Sequence, residues 1–596
     1  MDRKGIGILG VSVVLLIAWW WGVGRMFPSH PQPLGASNQL VSSVSQPEVG
    51  PNRPPLAPPG LGASVPVKPQ PAPGLSAGTT EQLVTLENDK LKATFTSIGG
   101  GLKFVELKKY PAQVARSKEP ARELATLNQS AYLPAFAFAY NPELNGDGAF
   151  SIEQESGRVI SQKRFTNGLV VTREFTLLTN YQLSVTVKLA NSGTAPIRLP
   201  PQEMVVGSAA PMEPHETSDT QGVYWFDGDK AQHVDPRWFA NKTLGCIPGT
   251  PRTEYNAGLT NVVWAAVHNR FFALITIPDQ PAYAMVARNF LLPPPGPSSL
   301  ESDSRLNRNP QLQQAALLYP ETILAPAQVQ EHRFQVYAGP KEYFSLSRLE
   351  PQLDLVMDLT GVTGFFAKGL LLGLNGLHTF IPSYGWCIVT ITILIKALFW
   401  PLTAISARSM KKMQAMQPEL AAMKEKYKDD PRKFQEKNLE LMKKHGVNPA
   451  AGCLPMLIQF PVFIGFVFMV RTAIELRGQS FLWATDLSQP DTLFMIPFFG
   501  VPFNLFPLLM MGTSLWVSSL TPPSPQMDPA QQRMIRFMPI MFVVFFYNNS
   551  SGLTLYWTVQ NLISVLQTTL TQRSRTKADG SSKPSVVTAQ VVRRKK

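Results

Sequence analysis

A lysine lies inside an apolar run in the second half of the chain. The run reads Trp386-CIVTITILI-Lys396-ALFW-Pro401 and carries no other charge. A charged side chain inside a membrane helix costs ~3 kcal/mol on insertion scales, so its presence points to a function. The chemistry that it offers is attraction of acidic or polar groups into an apolar medium. Snorkelling is the alternative explanation. Because Lys396 lies about one and a half turns from the end of the run, its side chain could extend the amine to the lipid headgroups.

Other polar side chains recur in the same apolar region. Thr392 lies one helical turn before Lys396, and Gln459 lies within the next apolar run. In the last run, polar side chains at helical spacing form one stripe, namely Tyr556, Gln560, Ser564 and Gln567. Two explanations are open for these residues: a polar cavity with a function, or hydrogen bonding between helices.

The basic loop Ser406–His445 predicts a helical hairpin. Its first helix carries an apolar stripe, at Met410, Met413, Met416, Leu420 and Met423. Asp430 and Pro431 predict the N-cap and first position of a second helix, which ends at His445-Gly446. The stripe either packs against a neighbouring helix or contacts varied apolar substrates through its flexible methionines.

The first half of the chain has three parts. Ile6–Val23 predicts an uncleaved membrane anchor, because the run is long for a signal peptide and holds Trp19-Trp20-Trp21. A cleaved signal peptide is the alternative. Residues 28–79 are dense in Pro, Gly and Ser and predict an extended linker.

Short strands follow, up to about Pro340. In Tyr181-QLSVTVKLANSG the apolar residues alternate with polar ones, and the preceding Leu169-VVTREFTLL predicts a partner strand joined through Thr179-Asn180. The pattern predicts a large antiparallel β-sandwich of about 260 residues.

The rest of the chain predicts a polytopic α-helical membrane protein. Leu353–Phe380 predicts an amphipathic helix at the interface. Five spans follow, which makes six with the anchor: Tyr384–Leu402, Leu454–Ala473, Asn504–Leu520, Met534–Asn548 and Gly552–Thr571. Several are short for a core of ~30 Å, which implies a thinned bilayer.

Charge distribution predicts the orientation of these spans. The Ser406–His445 loop holds eleven Lys and Arg residues and the tail from Arg573 holds eight, so both are expected in the cytoplasm, with the N-terminus inside and the β-domain outside. The predicted boundaries are 1–27 (anchor), 28–79 (linker), 80–342 (β-sandwich), 343–383 (interfacial helix), 384–402, 453–475, 504–521, 534–550 and 551–571 (transmembrane helices 2 to 6), 403–452 (cytoplasmic hairpin), 476–503 (outer loop), 522–533 (cytoplasmic loop) and 572–596 (basic tail).

Signals for catalysis are weak, and no enzyme, metal or cofactor is expected. The β-domain histidines show no metal-ligand spacing, three cysteines are too few for a disulfide framework, and no Ser–Lys dyad has a motif around it. One rival reading is a transporter or channel that binds an anionic solute at Lys396, but no inverted repeat supports it. A second rival reading is a sugar-active enzyme in the β-domain, attached to the membrane by one anchor. Such an enzyme needs only that anchor, so this reading leaves the other five spans unexplained.

Several strings resemble the YidC membrane insertases and their Oxa and Alb relatives. These strings are Lys396-ALFWPLT, Met416-QPEL, Val447-NPAAGCLPMLIQFPVF, Asp528-PAQQRMIRFMPIMF and Ser551-GLTLYW. Tyr337-AGPKEY, at the end of the β-domain, is similar to the periplasmic domain of Gram-negative members, so the resemblance covers nearly the whole chain. It implies a chain of the inner membrane with both termini cytoplasmic.

The resemblance also implies a function. Family members insert, fold and assemble inner-membrane proteins, alone or with the Sec translocon, through a hydrophilic groove among five core helices. Matching positions in this chain place Lys396, Thr392, Gln459, Tyr556, Trp557 and Gln560 at the groove. Lys396 stands where arginine is usual and lacks its bidentate fork, and Trp557 stands where tyrosine is common.

Implied partners are nascent membrane proteins, the Sec translocon and lipids, without DNA. The basic tail either binds anionic headgroups or contacts the ribosome.

Overall fold

The computed structural model describes residues 80–114, 123–213, 215–217, 220–242, 249–294, 306–349, 351–427, 430–445, 454–496, 500–520 and 529–579. The predicted anchor, the linker and most of the basic tail lie outside these residues.

A large antiparallel sheet forms one layer of the β-domain. Its nine strands are, in spatial order, β12 (Ala231–Val234), β11 (Gly222–Phe226), β14 (Trp264–His268), β15 (Phe272–Pro278), β19 (Val329–Pro340), β8 (Gln182–Asn191), β7 (Leu169–Leu177), β6 (Arg158–Arg164) and β5 (Ser151–Glu155). The predicted pairing of β7 with β8 is confirmed, and Asn180 in the connecting turn has a φ of 60°. Leu183, Val185 and Val187 of β8 are buried while their neighbours are half-exposed, because alternate residues point to opposite faces.

Smaller sheets cover this layer. The second sheet has the order β10 (Gln202–Ala209), β17 (Gln311–Tyr319), β16 (Ala284–Leu291) and β13 (Glu254–Ala257), and its β10 and β17 pack on β14 of the large sheet. A third sheet has β1 (Leu83–Glu87), β2 (Leu91–Thr96), β3 (Leu102–Pro111) and β4 (Leu124–Leu127) in order. β9 (Ile197–Leu199) pairs with β18 (Thr322–Leu324). Two short helices, α1 (Pro142–Asn145) and α2 (Pro236–Ala240), lie in the connections.

The helical part begins directly after β19. Its helices are α3 (Tyr343–Leu346), α4 (Gly361–His378), α5 (Tyr384–Ala415), α6 (Gln417–Lys426), α7 (Pro431–Lys444), α8 (Leu454–Thr472), α9 (Leu505–Leu520), α10 (Pro529–Phe546) and α11 (Ser551–Asp579). Short 3-10 turns span Leu353–Met357 and Ile474–Leu476. Between α8 and α9, β20 (Thr492–Ile496) and β21 (Val501–Asn504) form a hairpin that the sequence analysis did not predict.

Two helix predictions need correction. The helix predicted over Leu353–Phe380 is divided, because Asp358 (φ 56°) and Gly361 (φ 65°) adopt left-handed conformations that end the 3-10 turn before α4 begins. The first hairpin helix is divided as well. α5 continues through Pro401 to Ala415, and Pro418 in the first turn of α6 starts a new helix.

The second hairpin helix begins as predicted. The Asp430 carboxylate accepts a hydrogen bond from the Lys433 backbone N–H at 3.0 Å, and Pro431 occupies the first turn. Gly446 lies outside the described residues.

Helix length and hydropathy identify one clear membrane span among the described residues. Tyr384–Ser406 is 23 residues long with a mean hydropathy of 2.0. Three shorter apolar segments, Gln459–Thr472, Leu505–Leu520 and Phe537–Phe546, accompany it. Of the five predicted spans that lie among the described residues, one is therefore both long and apolar enough to cross a membrane.

A buried histidine, His268, faces an exposed one, His233, in the β-domain. The Nε2 atoms of His233 and His268 lie 3.3 Å apart, and the Tyr224 ring stacks on His233 at 4.3 Å. Lys341 Nζ lies 3.4 Å from Nδ1 of His268. Burial lowers the pKa of His268 well below its usual value, because the interior disfavours the charged imidazole.

We expect the β-domain to lose stability in acid. An unfolded histidine takes up a proton below about pH 6.5, whereas the buried imidazole of His268 resists protonation, so the unfolded chain binds more protons as the pH falls. In His268→Phe, which keeps a ring against Tyr224, the melting temperature should depend less on pH than in the parent. An unchanged pH dependence of the melting temperature in His268→Phe would contradict the expectation.

Candidate functional site

Lys396 contacts the last helix. Its side chain is 8% exposed, and Nζ donates a hydrogen bond of 2.9 Å to Ser564 Oγ on α11. Two helical turns further along α5, Thr403 Oγ1 accepts a hydrogen bond from the Gln567 side-chain amide of α11. α5 and α11 are therefore joined by two polar contacts along one face, because residues seven apart share a helix face.

Thr392 offers the site less hydrogen-bonding capacity than its position, one turn before Lys396, indicates. Its side chain is fully buried, and Oγ1 donates to the Ile388 carbonyl of the same helix at 2.6 Å. This bond uses the hydroxyl proton, so only the oxygen lone pairs remain for another group.

The polar stripe of α11 carries unsatisfied atoms. Tyr556 and Gln560 are buried, and neither the Tyr556 hydroxyl nor Gln560 Oε1 has a hydrogen-bond partner among the described residues. A buried polar atom without a partner costs roughly 1–3 kcal/mol, so a site of this kind is suited to water or to a polar segment of another chain.

α8 supplies the apolar wall beside this stripe. The Phe466 ring stacks on Tyr556 with 4.2 Å between centroids and 16° between planes. Gln459 lies seven residues before Phe466, on the same helix face and about 10 Å nearer the other end of α8, and its side chain is half-buried.

The structure separates Trp557 from Lys396. The Trp557 ring packs edge-on against Phe463 at 4.6 Å and lies near Phe542 and Phe546 of α10. Trp557 follows Tyr556 by about 100° around α11, so the two rings face different neighbours. Trp557 therefore belongs to an aromatic cluster between α8, α10 and α11.

Two residues next to the site were not chosen from the sequence. Ser564 was recognised as part of the stripe but not as the partner of Lys396, and Thr403 was not recognised. The spacing of seven residues between Lys396 and Thr403 was the available signal. Asn561, on another face of α11, donates to Ser514 Oγ of α9 at 2.7 Å and joins those two helices.

The methionine stripe forms a small core of its own. Met416 and Leu420 are buried against Met442 of α7, with Leu441 beside them. Met423 is half-buried. Packing between α6 and α7 is what the structure shows for these residues, and the side chains of Met410 and Met413 lie outside the described part.

Comparisons with known proteins cover both halves of the chain. Residues 376–579 match the family described as 60Kd inner membrane protein, and residues 83–372 match the YidC periplasmic domain. The membrane protein insertase YidC of Paraburkholderia phytofirmans is 30% identical over 572 residues, which cover 93% of this chain and 94% of that protein. The chain belongs to the YidC membrane insertase family.

A relative from another organism agrees with this assignment. The insertase of Geobacter metallireducens is 29% identical over 586 residues, which cover 96% of this chain and 99% of that protein. A crystal structure of an active YidC insertase is 18% identical with a TM-score of 0.34, and covers 84% of this chain and 95% of that one. The resemblance inferred from the sequence motifs is confirmed, and the β-domain is the periplasmic domain of an inner-membrane protein. YidC family members are named as insertases rather than as enzymes.

The stack of Phe466 on Tyr556 should be a main contributor to stability between α8 and α11. We expect Phe466→Ala to lower the free energy of unfolding in detergent by about 3 kcal/mol, because it leaves a cavity beneath the Tyr556 ring. Phe460→Ala is the matched control, because Phe460 is exposed on the same helix. Equal melting temperatures for the two variants would contradict the expectation.

Proposed function

We propose that this chain inserts membrane proteins through a polar groove formed by α5, α8 and α11, in which Lys396 attracts the substrate's polar or acidic N-terminal tail. The observation that supports it most is the hydrogen-bonding state of the buried polar groups. Among the described residues, Lys396 makes one hydrogen bond, and Tyr556 and Gln560 keep unpartnered atoms nearby along α11. A purely structural network would satisfy these groups internally.

The charge of Lys396 supports an electrostatic role. Its ammonium group has three N–H donors, and Ser564 accepts one of them. No ion pair of Lys396 occurs among the described residues, so its positive charge is not neutralised there by a carboxylate of this chain. A charge in a medium of low dielectric acts over a longer distance than in water, which favours entry of an acidic tail.

The driving force comes from the substrate. Transfer of about 20 apolar residues into lipid is strongly favourable, so the process needs no nucleotide. The groove lowers the free-energy barrier to transfer of the polar tail across the membrane. The apolar segment leaves the groove along the lipid-facing helices and passes side chains such as Phe463 of α8.

Short helices shorten the path of the tail. α9 has 16 residues and spans about 24 Å, which is less than the ~30 Å of a typical bilayer core. We assign six spans, with residues 1–27 as the first, both termini in the cytoplasm and a bilayer locally thinned around the short ones. Cooperation with the Sec translocon, and contact of the tail from residue 572 with ribosomes or anionic lipid, belong to the same proposal.

The test is insertion into liposomes that contain only this purified chain. A single-span substrate with an acidic tail is added, and protease protection of the tail is measured. We expect Lys396→Glu and Lys396→Ala to insert this substrate about tenfold less well, the factor that corresponds to ~1.4 kcal/mol of lost attraction. Lys396→Arg, which keeps the charge, should retain most of the activity.

Two controls isolate the charge in the groove. Lys412→Ala changes an exposed lysine of the same helix and should insert the substrate as the parent does. A substrate with a neutral tail should respond much less to Lys396→Glu. Equal insertion of the acidic substrate by the parent, Lys396→Ala and Lys396→Glu would refute the electrostatic role.

A further inference from the structure

A buried arginine in the segment after α8 attaches this segment to the β-domain. We name residues 477–491 the plug segment. The Arg477 side chain is 2% exposed, and its guanidinium donates to the Pro111 carbonyl at 2.8 Å and to the Ala112 carbonyl at 2.9 Å. Nε and Nη2 also donate to Glu213 Oε1 at 3.2 Å and 2.9 Å. Arg477 thereby joins the plug segment to the periplasmic domain.

Further contacts strengthen this junction. The second oxygen of Glu213 accepts a hydrogen bond from the Gln489 side-chain amide, so the plug segment uses both carboxylate oxygens. Arg270 of the β-domain donates to the Ser488 carbonyl at 2.9 Å. The planar guanidinium of Arg477 also lies over the ring of Phe272, with 5.5 Å to its centroid. Geometry of this kind suits arginine and is specific in orientation.

The other side of the plug segment contacts the start of α11. The Ser551 backbone N–H donates to the Gln489 carbonyl at 2.7 Å, and the Gly552 N–H donates to the Leu487 carbonyl at 2.9 Å. Ser551 Oγ donates to the Asp486 carbonyl at 2.9 Å. The first N–H groups of a helix have no partner within it, so the plug segment fixes the position of the α11 N-terminus.

The plug segment also covers the start of α5. Phe481 packs so closely on Gly385 that a Cβ there would lie 2.1 Å from the ring, and its ring meets Trp386 edge-on at 5.4 Å. Cys387, the next residue, is fully buried. One segment therefore covers the outer ends of the two helices that carry Lys396 and Ser564.

We propose that Arg477 and Glu213 are positioning residues, which latch the plug segment over the periplasmic ends of α5 and α11. The latch keeps the polar site closed to the periplasm and holds α5 and α11 in the register that the Lys396–Ser564 contact requires. Any role of the latch in insertion rests on the proposed function, whereas closure of the polar site towards the periplasm does not depend on it.

Cys387 provides a natural reporter of closure. In a Cys246→Ser, Cys453→Ser background, a membrane-impermeant maleimide is added to spheroplasts, and the rate of Cys387 modification is measured. We expect slow modification in the parent and a rate about tenfold higher in Arg477→Met, because loss of charge-assisted hydrogen bonds favours local opening. Glu213→Gln, which preserves the side-chain shape, should raise the rate in the same direction.

A matched variant separates the latch from general damage to the β-domain. Arg288→Met removes a buried arginine that pairs with Glu203 and Glu254, away from the plug segment, and should leave the rate unchanged. Inverted vesicles, which present the cytoplasmic side, should give equal rates for the parent and Arg477→Met. A parent-like rate for Arg477→Met and Glu213→Gln, or an equal rise in Arg288→Met or from the cytoplasmic side, would overturn the latch.

The experiment contains no substrate, so its result is independent of the insertion assay. A failed liposome assay with a positive labelling result would remove the groove mechanism and leave the latch. The opposite pair of results would remove the latch alone.

Discussion

A buried cation must find its partners within the protein, and this constraint organises the helical part of the chain. Lys396 is surrounded by apolar residues of α5, and its hydrogen-bond partner, Ser564, lies on α11. The contact exists only if α5 and α11 keep a fixed register. Two features support that register: the Thr403–Gln567 bond and the segment across the outer ends of both helices. The Phe466–Tyr556 stack in turn fixes α11 against α8. In lipid, packing and polar contacts of this kind replace the hydrophobic effect as the force between helices.

Two of the buried cations, Arg477 and Lys396, differ in how completely their hydrogen-bonding groups are satisfied. Arg477 has two backbone carbonyls and a carboxylate around it, so its charge is neutralised and its geometry is fixed. Lys396 has one hydrogen-bond partner among the described residues, the hydroxyl of Ser564. A saturated buried ion pair serves to hold an arrangement, whereas an unsaturated cation retains the capacity to bind an incoming group. The same chemical property therefore produces a structural junction at Arg477 and, in the proposed function, a binding site at Lys396.

α11 carries the greatest variety of contacts. One face presents Tyr556, Gln560 and Ser564 towards α5 and α8, Trp557 packs in the aromatic cluster, and Asn561 bonds to α9. Tyr556 combines both roles, because its ring packs on Phe466 while its hydroxyl has no partner among the described residues. Rigid packing and open hydrogen-bonding capacity thus lie on one side chain, which keeps the polar site in place without filling it.

Local patterns in the sequence determined the elements, and distant contacts decided the site. The alternation in β8, the Asp430–Pro431 start of α7 and the lysine in an apolar run depend on neighbouring residues, so all three could be predicted. Lys396 and Ser564 are 168 residues apart, and Arg477 and Glu213 are 264 apart. No spacing rule links such residues, and the placement of Trp557 in the aromatic cluster likewise depends on how α8 and α10 pack. The β20–β21 hairpin and the break before α4 were missed because turns and left-handed residues override an apolar pattern. The sequence therefore determined which groups are available for chemistry, and tertiary packing decided which of them meet, because hydrogen bonds depend on distances in space.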